Sequence, residues 1–411
     1  MSQELIKSKY LIPTFILGMS VTGLAAARSL GRNGIKVYAL DPDKDKPGLR
    51  TRYAKCFVCP DPQKDPKAFM DFLLDLVKTT GAPAVLMPTS DVFVDYVNTN
   101  RDLLIEHFKF AMSPKSLMDR ILDKNGQYDL ARENGTPVPK TYLPKNLQDI
   151  QQLAGTLNYP VLLKGVRTDA WRRRFGDKKA FNINNSRELV EIYQKIHDND
   201  HIDPLIQEVI QGDDTCHYKI CTYMNSENKP LLTFTLQKIR QYPCRFGIGS
   251  MVMSVWEPEV ARLGLEFMQR IGYRGVGSIE FKKDKRDNQL KMIELNPRLW
   301  AQNSLPEACG QNFALTAYLD IIGEKVEPQT KFQEGVKWIA FKEDRASFYG
   351  YLRTGEITWK EWLNSVLTGP RVWANWSLDD PLPFLHEIKF GFLPLHKIWV
   401  KVVNKIDIPP H

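Results

Sequence analysis

The chain has 411 residues, of which 43% are hydrophobic and 25% are charged, and its formal net charge is +8. This length and composition predict a globular protein with two or three domains. The chain contains no run of about eighteen apolar residues, which argues against a membrane span. The basic residues are spread along the chain and give no reason to expect a nucleic-acid partner, although a positive protein suits an anionic substrate.

The six cysteines predict reduced thiols in a cytoplasmic protein. Cys56 and Cys59 form a single C-x-x-C. On a strand, residues three apart point to opposite faces, and no second pair exists to complete a zinc site. Glu4 and the lack of a small-residue cleavage site indicate that the first residues are mature protein.

Residues 13–41 predict a strand, a glycine turn, a helix and a second strand, which is the βαβ unit of a parallel sheet. Gly18 and Gly23 open the helix, and Asp41 ends the second strand. This arrangement is typical of a dinucleotide site, although the third glycine is missing. A nicotinamide-dependent oxidoreductase is therefore one hypothesis.

Residues 81–93 predict another strand of the same sheet. Thr89, Ser90 and Asp91 follow at its carboxyl end, where ligands bind to sheets of this class. Further along, residues 257–272 have the 3.6-residue period of a helix that packs beneath a sheet.

Residues 275–297 predict a β-hairpin with arms at 276–282 and 290–296 and a polar turn between them. If the hydrophobic faces of the arms coincide, three oxygen-bearing side chains converge: Glu280, Glu294 and Asn296. Two neighbouring carboxylates repel each other unless a cation lies between them. Mg²⁺ that also binds substrate phosphates fits this set, with Mn²⁺ as the alternative ion.

Strand periodicity predicts that the second arm has one polar face and one apolar face. The polar face is expected to carry Met292, Glu294, Asn296 and Arg298. A half-solvated edge strand is the alternative explanation, but such a strand would carry interchangeable polar residues such as Lys, Thr or Ser.

Four segments, in this order, resemble the ATP-grasp ligases. They are residues 118–142 with Lys124, residues 159–165 with Lys164, residues 205–214, and the hairpin that ends in Arg298. The resemblance covers residues 116–325. In its detailed sequence the chain is most similar to a bacterial branch of D-aspartate-ligase-like proteins.

The resemblance implies an α/β and α+β fold with four parts. A doubly wound pre-ATP-grasp domain, which helps to hold the second substrate, would span residues 1–115. The two-lobed ATP-grasp domain would have its small lid at 116–200 and its large subdomain, with the metal site, at 201–325. Residues 326–411 would form a C-terminal extension.

The resemblance also implies roles for individual residues in binding ATP. Phosphate would be held by Lys124 and Lys164, adenine by the backbone of Glu208, Val209 and Ile210, and the ribose by Asp213 or Asp214. Gln207 and Val209 would face the core. Lys238 and Arg240, two residues apart on one strand, would share a face and reach the triphosphate or the acceptor. Arg298 would stabilise the acyl phosphate.

Two segments leave alternatives open. The basic loop 171–179 either grips anions of ATP or of the second substrate, or is a solvated loop. The apolar, lysine-containing tail 381–411 either contacts a membrane surface, or packs on the body or on a second copy in a homodimer.

The function that the resemblance implies is ATP-dependent ligation of a small-molecule carboxylate and an amine, with Mg²⁺ as cofactor. The substrates are expected to be anionic or linked to a nucleotide or a lipid. A non-catalytic ATP-binding regulatory protein is the alternative, besides the oxidoreductase.

Overall fold

The computed structural model describes residues 12–80, 83–166, 171, 174–176, 180–200, 204–245 and 247–391, with side chains left undescribed at 197–200 and 389–391. Three β-sheets with covering helices organise this part of the chain, as expected for the predicted fold class. Among the described helices, none is both long enough and apolar enough to cross a bilayer.

The first sheet is parallel and has the strand order β3-β2-β1-β4-β5. The strands are β1 (Thr14–Leu17), β2 (Val37–Asp41), β3 (Lys55–Val58), β4 (Ala84–Pro88) and β5 (Phe108–Lys109). The helices are α1 (Val21–Arg32), α2 (Pro66–Thr80), α3 (Asp91–Thr99) and α4 (Arg101–Leu104), with a 3₁₀ turn at Pro47–Arg50. β1 and β2 are buried throughout, because both faces of a parallel sheet are covered. The predicted βαβ unit is confirmed.

The glycine turn after β1 depends on both of its glycines. Gly18 has a φ of +95°, and a Cβ on Gly23 would lie 1.9 Å from the Gly18 carbonyl oxygen. Asp41 is buried and accepts hydrogen bonds from the backbone N–H groups of Met19 (2.6 Å) and Asp43 (2.9 Å). Asp41 therefore closes the turn itself, which removes the acid that the oxidoreductase hypothesis would assign to a ribose.

The second sheet is antiparallel and has the order β6-β9-β7-β8. Its strands are β6 (Thr141–Tyr142), β7 (Val161–Gly165), β8 (Phe181–Ile183) and β9 (Pro204–Glu208). Two helices precede it and two pack on it: α5 (Lys115–Leu122), α6 (Lys124–Glu133), α7 (Leu147–Ala154) and α8 (Ser186–Asp200). β9 begins at Pro204, so this sheet includes residues on both sides of the boundary that the sequence predicts at residue 200.

The third sheet has the order β14-β13-β10-β11-β12-β15-β16. Its strands are β10 (His217–Met224), β11 (Pro230–Tyr242), β12 (Ile248–Ser254), β13 (Gly275–Lys283), β14 (Leu290–Asn296), β15 (Lys337–Ile339) and β16 (Arg371–Trp373). A 3₁₀ turn at Asp214–Cys216 precedes its first strand. Along the chain, α9 (Pro258–Arg270) lies between β12 and β13, and α10 (Ser304–Ala308) and α11 (Phe313–Ile321) lie between β14 and β15. Val260 and Phe267 of α9 pack against Ile220 and Ile279 of the sheet, as predicted.

The predicted C-terminal extension is part of the third sheet, because it supplies β15 and β16. It also contains α12 (Phe341–Arg353), α13 (Trp359–Leu367) and α14 (Leu382–Gly391). Met251 of β12 forms one buried cluster with Ile339, Phe348 and Trp362. The strand pairing therefore gives no separate unit beginning at residue 326.

The chain returns to the first sheet after β16. Asp380 is 1% exposed, and its carboxylate accepts hydrogen bonds from Arg28 Nε (2.9 Å), Thr51 Oγ1 (2.6 Å) and the backbone N–H of Arg52 (3.0 Å). The neighbouring Asp379 pairs with Arg32 at the surface (2.8 Å). Residues near the end of the described chain thus bind the N-terminal domain.

Candidate active site

The hairpin brings together the two acidic residues that the sequence selected. In the register of β13 and β14, Glu280 lies opposite Glu294 and Ser278 lies opposite Asn296. The pairing is antiparallel, and cross-strand neighbours on one face are close enough to interact. The three predicted metal ligands therefore lie on one patch of the sheet.

A β-bulge corrects the predicted face of Met292. Glu280 pairs with Glu294, but Phe281 pairs with Met292, so Ile293 is the extra residue. The bulge reverses the alternation, and Met292 is fully buried beside Phe281 in the core. The polar face of β14 thus begins at Glu294.

Two lysines form ion pairs with Glu280. Lys219 Nζ lies 3.0 Å from Glu280 Oε1, and Lys238 Nζ lies 3.7 Å from Oε2. Burial alone would raise the pKa of Glu280, but these lysines hold it well below its usual range. Sequence reasoning missed Lys219, although a lysine inside the apolar strand "HYKICTYM" was a signal of the same kind as Lys164.

Lys164 reaches the same patch from the second sheet. Its Nζ donates to Gln207 Oε1 at 2.8 Å and lies 3.5 Å from the Tyr128 hydroxyl. Desolvation lowers the pKa of Lys164 to about 8, while Glu294 acts in the opposite direction. Gln207 therefore contacts the lysine that is predicted to bind phosphate, in addition to being buried as predicted.

Lys124 begins α6, next to the N-cap residue Asp123. Burial raises the pKa of Tyr128, which lies one turn further along, and both Gln207 and Lys124 oppose this rise. Tyr128 also donates to the carbonyl oxygen of Ile293 at 3.0 Å. Lys124 is thus within electrostatic range of the group that includes Lys164.

The predicted adenine segment begins at the end of β9. The backbone N–H of Glu208 donates to the Lys140 carbonyl (3.0 Å), and its carboxylate binds Arg286 and Lys291 at 3.3 Å each. The Val209 carbonyl lies 3.4 Å from Arg286, and Ile210 is buried. The N–H of Glu208 is therefore already bonded within the protein.

The two ribose candidates occupy different environments. Asp213 is half exposed and binds Lys285 (2.6 Å), which together with Thr215 holds its pKa well below the usual range. Asp214 is buried and accepts hydrogen bonds from Gln241 Nε2 (2.5 Å) and from the Tyr351 hydroxyl. The geometry therefore leaves Asp213 as the accessible member of the predicted pair.

The prediction that Lys238 and Arg240 share a face is wrong. The register of β11 with β12 shifts on both sides of Arg240. Lys238 faces Glu280, whereas Arg240 forms an ion pair with Asp344 of α12 (2.8 Å, with exposures of 6% and 0%). Arg240 therefore does not reach the hairpin patch.

Arg298 binds an acid from the N-terminal domain. Its Nε and Nη2 donate to the Asp91 carboxylate at 2.7 and 3.0 Å, and Nη2 also donates to Asn296 Oδ1 at 3.1 Å. Burial would lower the pKa of Arg298, but Asp91, Glu294 and Glu280 raise it. The predicted ligand-binding end of β4 thus meets the hairpin through Asp91.

His217 is a further residue that sequence reasoning missed. Within the described part of the chain, both of its ring nitrogens are buried and lack a hydrogen-bond partner. Burial and the charges of Lys238 and Lys282 lower its pKa well below the usual range, so the ring is neutral at pH 7. Buried polar atoms are usually hydrogen-bonded, so the unpartnered ring near Glu280 is an exception within the described residues.

Only part of the basic loop 171–179 lies within the described residues, so its two predicted roles both stay open. Arg174 lies within them, and the contact of Arg174 with the Phe175 ring is cation–π in character (5.4 Å). Arg172, Arg173, Lys178 and Lys179 lie outside the described residues, as does most of the tail 381–411.

The chemistry of the hairpin fits a hard divalent cation bound together with phosphate. Among the described residues, no cluster of three or more His, Cys, Asp or Glu side chains forms a preformed metal site. The predicted set has two carboxylates and one amide, which is the small ligand number that suits Mg²⁺ when phosphate oxygens complete its shell. The facing carboxylates Glu280 and Glu294 supply the negative charge.

The chain resembles a curated enzyme along most of its length. It is 24% identical over 345 residues to D-aspartate ligase from Enterococcus faecium (strain Aus0004), with 80% of each chain covered. No family model matches the chain. The similarity agrees with the predicted ligase branch.

Solved structures show the fold. The biotin carboxylase domain of Hydrogenobacter thermophilus 2-oxoglutarate carboxylase, in complex with MgADP, has a TM-score of 0.62 at 16% identity and covers 79% of this chain and 73% of its own. N5-carboxyaminoimidazole synthetase from Staphylococcus aureus with ADP gives 0.61 at 20% identity, with 81% and 83% covered. L-amino acid ligase from Bacillus licheniformis gives 0.59 at 16% identity, with 78% and 76% covered. The predicted ATP-grasp fold is confirmed.

Proposed function

We propose that this chain is an ATP-dependent carboxylate–amine ligase that forms an amide through an acyl phosphate and releases ADP and phosphate. The observation that carries the proposal is the convergence on β14 of the facing pair Glu280 and Glu294 with Lys164 and Arg298. Carboxylates, an amide, lysines and an arginine from three parts of the fold meet there. The similarity to a ligase over most of the chain supports the same reaction class.

The reaction would proceed in two steps, a phosphoryl transfer and then an acyl transfer to the amine. The γ-phosphoryl group of ATP passes to an oxygen of the substrate carboxylate, which gives an acyl phosphate and ADP. The amine then attacks the acyl carbon, phosphate leaves with the acyl oxygen, and the amine loses a proton. Phosphoryl transfer requires alignment and charge neutralisation more than covalent help from the protein.

The residues divide this work by position. Lys124 and Lys164 of the small lobe would hold the transferred phosphoryl group, and Lys219 and Lys238 would balance charge beside Glu280. Arg298 would stabilise the acyl phosphate and the tetrahedral intermediate that follows it.

Mg²⁺ would be held by Glu280, Glu294 and Asn296 and would supply charge neutralisation for the phosphates, with Mn²⁺ as a substitute. Adenine would lie against the backbone of residues 208–210, and Asp213 would accept from the ribose hydroxyls.

The acid substrate that we propose is D-aspartate or a close relative. The named activity of the similar enzyme supports this choice, and the lysine- and arginine-rich site suits a dicarboxylate. The amine would be a small molecule or a larger anionic acceptor linked to a nucleotide or a lipid.

An assay of ADP and phosphate release tests the function. We expect release with MgATP, D-aspartate and a panel of amines, and much less with L-aspartate or without Mg²⁺. MgATP binding without ADP release for any acid would identify a non-catalytic ATP-binding protein. Quenching of tryptophan fluorescence by NADH and not by ATP would instead favour the oxidoreductase hypothesis.

Two assembly features belong to the proposal. A homodimer is supported by the dimer of the similar biotin carboxylase domain, and light scattering measures it. Membrane contact by residues 381–411 is supported by their lysines and apolar residues. Equal pelleting of full-length and truncated protein with anionic liposomes would contradict that contact.

A further inference from the structure

We infer that Tyr351 of α12 acts as a positioning residue, which fixes Lys238 beside Glu280 through two buried side chains. The inference rests on the proposed function for the role of Lys238, and it adds to that function by giving the C-terminal part of the chain a place in the active site.

A continuous path of contacts joins Tyr351 to the hairpin. The Tyr351 hydroxyl donates to Asp214 Oδ2, and Gln241 Nε2 donates to Asp214 Oδ1 at 2.5 Å. Lys238 Nζ donates to Gln241 Oε1 at 3.2 Å and lies 3.7 Å from Glu280 Oε2. The first four residues of this path are each less than 9% exposed, so water does not readily replace these bonds.

The direction of each bond in the path is fixed by chemistry. The ammonium of Lys238 can only donate, and Asp214 accepts from Gln241 Nε2, so the amide of Gln241 has one orientation that satisfies both. Tyr351 must donate to Asp214. Burial and the Asp214 charge raise the pKa of Tyr351, so the hydroxyl keeps its proton throughout the working pH range.

A second buried contact holds α12 against the same strand. Asp344 of α12 accepts from Arg240 Nε and Nη2 at 2.8 Å each and from Trp362 Nε1 at 2.9 Å. The register shifts around Arg240 allow Lys238 and Arg240 to point to different partners. α12 is therefore anchored at Asp344, and Tyr351, two turns later, is presented to Asp214 from a fixed base.

Loss of the Tyr351 hydroxyl would leave one oxygen of buried Asp214 without its donor. A buried acceptor that loses its donor carries a free-energy cost, and the bonds of a buried hydrogen-bond network depend on one another. Gln241 is the neighbouring donor, so its amide would move and release Lys238. Phosphoryl transfer depends on the placement of such charges, so a small displacement lowers the rate.

The test is the Tyr351→Phe variant of the full-length protein. We expect kcat/KM for ATP to fall about tenfold, and MgADP affinity measured by calorimetry to fall with it. In a Lys238→Met background, Tyr351→Phe should change MgADP affinity by less than about twofold, because the residue that it positions is gone. A purely structural tyrosine would give the same loss in both backgrounds.

Tyr223→Phe is the matched control. The hydroxyl of this fully buried tyrosine on β10 donates to Asp320 Oδ2 at 2.7 Å, and Asp320 is not a member of the path from Tyr351 to Lys238. It should lower the melting temperature as Tyr351→Phe does, yet keep wild-type kcat/KM. If the wild-type protein is active, either of two results overturns this inference and leaves the proposed function standing. One is that Tyr351→Phe keeps the wild-type kcat/KM and MgADP affinity; the other is that it lowers MgADP affinity equally in the Lys238→Met background. A wild-type protein that neither binds nor consumes ATP overturns the proposed function first.

Discussion

Lys164 changes charge in the mildly alkaline range, because desolvation lowers its pKa to about 8 against the opposing effect of Glu294. The ammonium is charged below that pKa and neutral above it. We therefore predict that kcat/KM for ATP falls as the pH rises through about 8. Lys164→Arg should remove this fall, since the guanidinium stays charged, and Lys164→Ala should raise KM and lower turnover at every pH. A flat wild-type profile would exclude a role for the charge of Lys164.

Glu294 and Arg298 share one strand but serve different steps of the proposed reaction. Glu294→Gln removes a negative charge from the metal patch while keeping the shape, so ADP formation should almost cease. Arg298→Ala leaves the carboxylates in place, so some ADP should still form. Little amide should follow, because the loss of one preorganised charge lowers the rate by a factor of about 10²–10³. Quantifying ADP and amide in the same reaction separates the two.

Nucleotide binding is the control for this pair. Both variants should still bind ADP, because the predicted adenine contacts near Glu208 lie on another strand. Full activity in both, with ADP and amide in equal amounts, would make β14 an ordinary polar edge and would contradict the ligase proposal.

At the scale of elements, the segment after β16 is held to α1 by a buried ion pair. Arg28 and Asp380 are 6% and 1% exposed, and burial lowers the pKa of Arg28 against the effect of Asp380. Asp380→Asn leaves a buried guanidinium without its counter-ion and should cost about 3 kcal/mol of the free energy of unfolding.

Asp379→Asn is the comparison for this prediction. Asp379 is bound to Arg32 at the surface, with exposures of 42% and 35%. Exposed pairs contribute little, so its loss should cost less than about 1 kcal/mol. Chemical denaturation of both variants measures the difference, and equal losses would mean that burial of the pair is unimportant.

The hairpin shows how far sequence reasoning reaches. Alternation and a polar turn predicted both arms, and the structure has them at Gly275–Lys283 and Leu290–Asn296. The bulge at Ile293 was not predictable, because a single extra residue leaves the composition of a strand unchanged while it reverses the faces. The face of Arg240 was not predictable for the same reason: the register of β11 with β12 shifts on both sides of it, and its partner Asp344 is 104 residues away in the chain.

At the scale of the whole molecule, the third sheet depends on residues beyond 326. β15 pairs with β12, and Phe348 and Trp362 cover Met251. A chain that ends at residue 325 would expose this cluster and a long strand edge, so we predict aggregation instead of a smaller active enzyme. A monodisperse 1–325 fragment with cooperative unfolding would show that the large lobe is complete without them.

The bond between Arg28 and Asp380 joins residues 352 positions apart. During synthesis at the usual 5–20 residues per second, Arg28 would be made roughly 20–70 s before its acidic partner. The N-terminal domain therefore matures in two stages: its sheet can form early, while the charge buried under α1 stays hydrated until Asp380 has been translated. Arrest of translation before residue 380 would yield a nascent domain with that site still open to proteases and chaperones.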